Sequence, residues 1–170
     1  FSDYETFMQA GDDFDPDEWD RRRDENDPDD CQFILQTSGT TGVSKSALLT
    51  HRSLVGNAHF IADALNFESS DRYINFSPFY HNGGLVTGLL MNTAVKGSTL
   101  YFQPQFDPAG ALELIDEHEI ESMFGFGTMY AALRDAPNYE ETTFSIRKAL
   151  VAATPAQYEQ AVEMSDAPPE

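Results

Sequence analysis

One stretch of the chain reads Gln36-Thr37-Ser38-Gly39-Thr40-Thr41-Gly42-Val43-Ser44-Lys45-Ser46 and combines hydroxyls, glycines and a lysine. In a loop of this composition, glycines let backbone N–H groups converge on an anion, while hydroxyls and a lysine bind phosphate oxygens. The apolar residues Phe33-Ile34-Leu35 just before it predict a buried strand. The stretch therefore predicts a phosphate-binding loop at a strand end, where α/β proteins bind nucleotides.

A Walker-type loop is the first alternative for this stretch. It requires a glycine, four residues and then Gly-Lys-Ser/Thr. Gly39 is followed by four residues and then by Ser44-Lys45-Ser46, so the second glycine of that pattern is missing. Glycine, serine and threonine alone are also typical of an ordinary turn. The complete stretch from Gln36 to Ser46 is much less common by chance than its parts, which favours a phosphate loop of another kind.

The composition is strongly acidic. The 170 residues include 29 Asp and Glu against 10 Lys and Arg, which gives a formal net charge of −19 at pH 7. Such a charge repels nucleic acid, so a nucleic-acid partner is not expected. A solvated acidic surface, as in salt-adapted proteins, explains it best, and a docking site for a basic partner is the alternative. The length suits one domain with a substantial core.

The single cysteine and the hydropathy pattern bear on location. Cys31 is the only cysteine, which excludes an internal disulfide and a cysteine-based metal site. The most apolar run, from Leu85 to Val95, is short and interrupted by polar residues, so no membrane span is predicted. We expect a cytoplasmic protein, and the sequence gives no indication of its oligomeric state.

Strand-like and helix-like segments alternate after the acidic residues 1–30, which predict a lead-in or linker with at most a short helix around Trp19. Apolar residues at helical spacing predict a helix over 51–66, and Asp107-Pro108 predicts another helix start. Strands are predicted at 32–37, 46–50, 73–76, 98–102, 122–126 and 149–152, and further helices at 84–95 and 128–135. Repeated βα units of this kind predict an α/β fold with a mainly parallel sheet flanked by helices.

Four segments together closely resemble one family. In chain order they are Thr37-Ser38-Gly39-Thr40-Thr41-Gly42-Val43-Ser44-Lys45, Ser77-Pro78-Phe79-Tyr80-His81-Asn82-Gly83-Gly84, Phe124-Gly125-Phe126-Gly127-Thr128-Met129-Tyr130 and Ile146-Arg147-Lys148-Ala149-Leu150-Val151-Ala152-Ala153-Thr154-Pro155. Their order and spacing resemble the adenylate-forming (AMP-binding) superfamily, and most of all a fatty-acyl-CoA synthetase. The resemblance implies that residues 31–165 form part of its N-terminal domain, with 166–170 as a tail.

The resemblance implies a role for each segment. ATP is the implied ligand of Thr37, Ser38, Gly39, Thr40, Thr41, Gly42, Lys45, Ala153, Thr154 and Pro155, with Thr41 also on Mg²⁺. His81 is the implied catalytic residue, at the boundary between the acyl and nucleotide sites. The implied pocket for a small-molecule carboxylic acid includes Tyr80, Gly125, Gly127, Thr128 and Met129, and coenzyme A is the implied cosubstrate. Met129 is equally compatible with an ordinary core position, and a histidine beside aromatics with a structural one.

Three segments depart from the family pattern. The family usually has Pro-Lys-Gly where this chain has Ser44-Lys45-Ser46, and Val-Pro-Thr where it has Phe126-Gly127-Thr128. Its Gly-Gly/Ala-Ala/Ser-Pro word is replaced by Ala152-Ala153-Thr154-Pro155. Losing a loop proline costs rigidity, because φ is no longer preset. Ser46 adds a Cβ that we expect to raise strain or to crowd the phosphates.

Other words of the family do not occur in this sequence. Two motifs are missing: Tyr-Gly-x-Thr-Glu, which carries a magnesium-binding glutamate in the family, and Thr-Gly-Asp, which carries a ribose-binding aspartate. We therefore expect a fragment of an ATP-dependent acyl-CoA synthetase that is inactive alone. A noncatalytic domain that retains the fold and an amino-acid adenylation domain are the alternatives. Residues 82–85 contain no acid to bind an α-amino group, which favours a fatty or aryl acid.

Overall fold

The computed structural model describes residues 3–12, 14–37 and 44–163. Two short helices, α1 (Tyr4–Gln9) and α2 (Pro16–Asp24), precede strands β1 (Cys31–Thr37) and β2 (Lys45–Thr50). Then follow helix α3 (His51–Ala64), strand β3 (Arg72–Asn75), a π-helix (Gly83–Lys96) and strand β4 (Thr99–Phe102). The chain continues with helix α4 (Pro108–Glu117), strand β5 (Ser122–Phe126) and helix α5 (Gly127–Arg134). The order ends with a 3-10 turn (Tyr139–Glu141), strand β6 (Lys148–Ala152) and helix α6 (Pro155–Glu163).

The strands form two separate sheets. Strands β1 and β2 make an antiparallel hairpin, and the other strands make a parallel sheet in the order β4-β3-β5-β6. After β3 the chain crosses to β4 on one side and then returns past β3 to β5 on the other. The crevice beside such a reversal, at the carboxyl ends of the strands, is the usual ligand site of open α/β sheets. The predicted α/β fold with a mainly parallel sheet is confirmed.

Helices cover both faces of the parallel sheet. Successive residues of a strand point to opposite faces, so Ile74 packs towards α4 and α5, whereas Tyr73 packs towards α3 and the π-helix. The first face buries Ile74, Phe76, Ala111, Leu112, Ile115, Ile120, Met123, Tyr130, Leu133 and Ile146. The second buries Leu54, Ala58, Ala62, Phe67, Tyr73, Leu85, Val86, Met91 and Phe124. Burial on both faces explains why β3 and β5 lack a polar face in the sequence.

The π-helix packs closely against the end of β3. A Cβ on Gly84 would lie 2.3 Å from the carbonyl oxygen of Pro78, and one on Gly88 would lie 2.7 Å from Cγ of Asn75. The Asn75 amide donates to the Ser77 carbonyl (2.6 Å), and the Ser77 N–H donates back to the Asn75 Oδ1 (3.2 Å). Two glycines and one buried asparagine thus fix where the chain leaves β3. A helix over 84–95 was predicted, and its wider winding was not.

An ion pair joins the amino ends of β3 and β6. The Lys148 ammonium donates to Asp71 Oδ2 and to the Asn66 carbonyl, each at 2.6 Å. The same Asp71 oxygen accepts from the Glu68 N–H at 2.7 Å. The Asp71 side chain is only 6% exposed, so these donors stabilise a carboxylate that water scarcely reaches. The pair therefore fixes the edge of the sheet opposite the predicted site.

Two predictions about the amino-terminal part are wrong. Strand β1 is not buried, since Ile34 is 56% exposed and its cross-strand partner Leu48 is 66% exposed. The hairpin is not part of the parallel sheet, so only its other face, with Phe33 and Leu49, contacts the core. The lead-in forms two short helices instead of at most one, because the Asp3 carboxylate caps α1 by accepting from the Thr6 N–H.

Candidate functional site

The carboxyl edge of the parallel sheet collects three of the four family-like segments. Residues 77–84 follow β3, residues 127–130 follow β5, and residues 153–155 follow β6. Strands β3, β5 and β6 are adjacent and parallel, so their carboxyl ends lie side by side. Segments far apart in the sequence are therefore neighbours at the strand-order reversal, where ligands bind in open α/β sheets.

His81 is exposed in the turn between β3 and the π-helix. Its backbone N–H donates to the Pro78 carbonyl at 3.0 Å, and its Nδ1 accepts from the Gly83 N–H at 3.2 Å. With Nδ1 accepting this bond, Nε2 is the ring nitrogen that remains to donate. A Cβ on Gly83 would lie 3.1 Å from the Phe124 ring, so this turn rests on β5. The turn thus holds His81 as a donor through Nε2 beside the crevice.

A cavity of about 310 Å³ opens between the carboxyl ends of β3 and β4. It is lined by Asn75, Phe76, Ser77, Pro78, Phe79, Tyr80, Phe102, Gln103 and Pro104. Tyr80 is 77% exposed, and the rings of Phe79 and Phe102 meet edge to face at 5.4 Å. The structure thus places Tyr80 on the β4 side of β3, whereas the other predicted pocket residues follow or end β5.

The predicted acyl-pocket residues at β5 differ in their surroundings. Gly125 is buried under Tyr130, because a Cβ on it would lie 3.0 Å from that ring. Burial raises the pKa of the Tyr130 phenol above its usual range, so the hydroxyl stays neutral. Met129 packs against the core between the sheet and α4, which favours the core interpretation of this residue. Thr128 is exposed in the first turn of α5.

The predicted nucleotide segment Ala153–Pro155 is exposed and joins β6 to α6. The Thr154 carbonyl accepts the first helical bond from Tyr158 N–H at 2.9 Å, which makes Thr154 the N-cap and Pro155 the first helical residue. Gln157 Oε1 lies 3.0 Å from both the Thr154 nitrogen and its hydroxyl oxygen. Sequence reasoning missed Gln157, although the spacing Thr-x-x-Gln is a capping-box signal.

The phosphate-loop residues are described only at their two ends. Thr37 and Lys45 are cross-strand partners, and the Thr37 hydroxyl donates to the Lys45 carbonyl at 3.2 Å. The strands that these two residues end and begin are antiparallel, and β2 separates Lys45 from α3. The predicted ATP ligands Ser38, Gly39, Thr40, Thr41 and Gly42, including Thr41 as magnesium ligand, lie outside the described residues.

The departure at Ser46 causes no backbone strain. Ser46 lies in β2 opposite Gln36, whose side-chain amide donates to the Ser46 hydroxyl at 2.9 Å. Positive φ among the described non-glycine residues occurs only at Asn66 and Glu119. The expectation of strain at Ser46 is therefore wrong, since a strand residue needs no glycine there.

Among residues 3–12, 14–37 and 44–163, no three His, Cys, Asp or Glu side chains are grouped so that they could hold a metal ion. Of the helices in the same ranges, none combines the length and apolarity that a membrane crossing requires.

The fold defines a class of protein: a doubly wound α/β domain with helices on both faces of a parallel sheet. Within that class, the chain belongs to the AMP-binding enzyme family, whose model matches residues 2–168.

Curated relatives and a solved structure agree with this assignment. A CoA ligase of Mycobacterium tuberculosis is 42% identical over 111 residues, which are 65% of this chain and 22% of that protein. The acyl-CoA ligase sidI of Aspergillus fumigatus is 34% identical over 138 residues, covering 80% and 23% respectively. ATP-bound MatB from Rhodopseudomonas palustris superimposes with a TM-score of 0.71 at 30% identity, covering 83% of this chain and 28% of MatB. The chain thus spans about a quarter of the length of these proteins.

Proposed function

We propose that the complete protein is an ATP-dependent, AMP-forming acid-thiol ligase. In the first step an oxygen of a carboxylate attacks the α-phosphorus of ATP, and pyrophosphate leaves with the electron pair of the broken P–O bond. In the second step the thiolate of coenzyme A attacks the acyl carbon, and AMP leaves. Both steps require that reactants be held in line and that phosphate charge be neutralised, and neither requires a covalent enzyme nucleophile.

The observation that carries this proposal is the meeting of three segments at one edge of the sheet. The turns after β3, β5 and β6 resemble the family's histidine, acyl-pocket and adenine motifs, respectively. The order of the strands makes these three turns neighbours. The crevice of an open α/β sheet is the site that the fold itself favours for a nucleotide. The named activities of the relatives, acyl-CoA ligation among them, support the same reaction.

Each segment has a proposed task in that reaction. The loop that begins at Thr37 and ends at Lys45 binds the phosphates, with Thr41 on Mg²⁺, which when bound neutralises phosphate charge. The segment Ala153–Pro155 passes the adenine ring. His81 stands between the two substrates and donates from Nε2 to an oxygen, because Nδ1 is already engaged with Gly83.

The acid is proposed to enter beside β5. Thr128 offers a hydroxyl at the mouth, and Tyr80 lies across β3 from it. Gly125 and Gly127 form the backbone of this wall, and Tyr130 and Gln157 pack against them. We propose a fatty or aryl acid, because residues 82–85 provide no carboxylate for an α-amino group. A cytoplasmic location is part of the same proposal, since ATP and coenzyme A are available there.

Pyrophosphate exchange tests the first step directly. We expect the complete protein to incorporate labelled pyrophosphate into ATP only when a suitable carboxylic acid is present. The panel should include fatty, aryl and amino acids, each with and without magnesium. Exchange with amino acids alone would indicate an adenylation domain. No exchange with any acid would overturn the proposal and favour a noncatalytic domain that retains the fold.

Thioester formation and the activity of the 170-residue chain alone need separate assays. With the accepted acid, added coenzyme A should yield the acyl thioester and AMP in equal amounts by mass spectrometry and chromatography. The 170-residue chain alone should produce neither AMP nor pyrophosphate, because the magnesium-binding and ribose-binding words do not occur in it. Turnover by this chain alone would contradict that expectation.

A further inference from the structure

The first residue of α5, Gly127, packs closely against Gln157 in the first turn of α6. A Cβ built on Gly127 would lie 2.6 Å from both Cβ and Cδ of Gln157, and 2.8 Å from its Oε1. One of these atoms, Cβ, is fixed by the α6 backbone and cannot swing away. The chain therefore accommodates Gln157 only because position 127 has no side chain.

The amide that occupies this space is also the cap of α6. Gln157 Oε1 lies 3.0 Å from the backbone nitrogen of Thr154, which donates to it, and 3.0 Å from the Thr154 hydroxyl oxygen. An N3 glutamine that reaches back to the N-cap N–H satisfies a donor that the helix leaves unpaired and fixes the entry of the chain. The same side chain thus touches the start of α5 and sets the conformation at Thr154.

We propose that Gln157 is a positioning residue that holds the nucleotide segment Ala153–Pro155 and couples it to the acyl-pocket turn at Gly127. This inference rests on the proposed function. Where the family resemblance leads one to expect a proline at 127, this chain has a glycine and fills the vacated volume with the Gln157 amide. A change at either residue is transmitted to the other turn, because both pack on the same atoms.

The first test compares Gln157→Ala with Gln157→Glu in the complete protein. Gln157→Ala removes the acceptor of the Thr154 N–H, so we expect the KM for ATP in pyrophosphate exchange to rise about fivefold. Gln157→Glu keeps an acceptor at the N3 position and should restore the KM for ATP to within about twofold of wild type. In both variants kcat should change much less than KM, because the loss is one of substrate positioning.

Ser53→Ala provides the matched control. Ser53 is the N3 residue of the capping box of α3, where its hydroxyl accepts from the Thr50 N–H at 3.1 Å. The variant removes the same kind of cap from a helix that follows the hairpin strand β2 instead of a strand of the parallel sheet. We expect it to lower Tm as Gln157→Ala does, while the KM for ATP stays unchanged.

Gly127→Ala tests the coupling between the two turns. The added methyl must separate α5 from α6, so we expect the KM values for the acid and for ATP to rise together. In Gly127→Ala/Gln157→Gly the obstructing Cβ is removed, so the KM for the acid should recover. The KM for ATP should stay raised, because the Gln157→Gly change removes the cap of α6. Recovery of one value without the other is not expected from a loss of stability alone.

The outcomes separate this inference from the function on which it rests. A wild-type protein without exchange activity would overturn the proposed function and the inference with it. An active wild type whose KM for ATP is the same in Gln157→Ala, Gln157→Glu and Ser53→Ala would overturn the inference alone. A parallel fall in Tm without any change in KM would assign Gln157 a purely structural role and would overturn it as well.

Discussion

The β1–β2 hairpin and the parallel sheet are built from similar apolar strand sequences and have very different surroundings. Phe33-Ile34-Leu35 in β1 is as apolar as Tyr73-Ile74 in β3, yet Ile34 is 56% exposed and Ile74 is 0% exposed. The hairpin has one face against α3 and the other in solvent, while the sheet has helices on both faces. An apolar run therefore identifies a strand, and the topology decides whether it is buried.

The two regions also carry different parts of the proposed site. The hairpin holds Thr37 and Lys45, the two ends of the proposed phosphate-binding segment, by its ladder and by side-chain bonds such as Gln36 to Ser46. The sheet holds the turns after β3 and β5 by tight packing around glycines, where an added Cβ would collide with neighbouring atoms. Substitutions should consequently be tolerated in the hairpin and rejected at the carboxyl edge of the sheet, which the following changes test.

Gly84→Ala should have the largest effect. Its methyl would lie 2.3 Å from the Pro78 carbonyl oxygen and 2.5 Å from that of Ser77, and neither backbone atom can move without displacing β3. We expect a loss of about 4 kcal/mol or more in the free energy of unfolding, measured by urea denaturation of the 170-residue chain. Gly56→Ala on α3 is the control, because no atom lies within 4 Å of its added Cβ. That variant should be neutral or more stable by up to about 1 kcal/mol.

Ile74→Ala and Ile34→Ala compare the two regions with the same chemical change. Ile74 is fully buried, so we expect its truncation to lower the free energy of unfolding by about 3 kcal/mol through lost burial and a cavity. Ile34 faces solvent in the hairpin, and its truncation should cost less than about 0.5 kcal/mol. Equal losses in the 170-residue chain would refute the difference between the regions. A larger cost of Ile34→Ala in the complete protein would show that another part covers this face.

Lys148→Met should cost about 3 kcal/mol, because it leaves the Asp71 carboxylate nearly buried without its cation. Lys96→Met is the control: Lys96 pairs at 3.3 Å with Asp63, whose side chain is 74% exposed, and such pairs contribute less than about 1 kcal/mol. Thermal and urea unfolding measure both. Asp71→Asn added to Lys148→Met should recover part of the loss, since it removes the unpaired charge. If it does not, the ion pair is not the cause.

Ser46→Gly, which restores the glycine usual in the family, should have the smallest effect. It removes one exposed cross-strand hydrogen bond from Gln36 and adds chain flexibility, so we expect a loss of about 1 kcal/mol or less. Because Ser46 lies in a regular strand, the KM for ATP of the complete protein should stay within about twofold of wild type. A much lower KM in the variant would mean that the Ser46 side chain does crowd the phosphates.

Much of the fold followed from local patterns. The strand at Ser122–Phe126 was predicted with its observed bounds, and the helix start at Asp107-Pro108 was identified because a side-chain cap and a first-turn proline are local chemistry. The capping box Thr154-x-x-Gln157 was equally local and was overlooked. The exposure of Ile34 and the width of the π-helix were not predictable in this way, because they depend on which element packs alongside.

The candidate site shows the same division between features that the sequence predicts and features that depend on packing. The sequence by itself determined the family, through the order of four words, and the residue types that could bind phosphate and acid. Only the tertiary structure decided that Tyr80 lies on the β4 side of β3, that Met129 joins the core, and that Gly127 and Gln157 share one space. The physical reason is that hydrogen-bond caps and turn conformations are fixed within a few residues, whereas exclusion of volume acts between segments that only the folded sheet brings together.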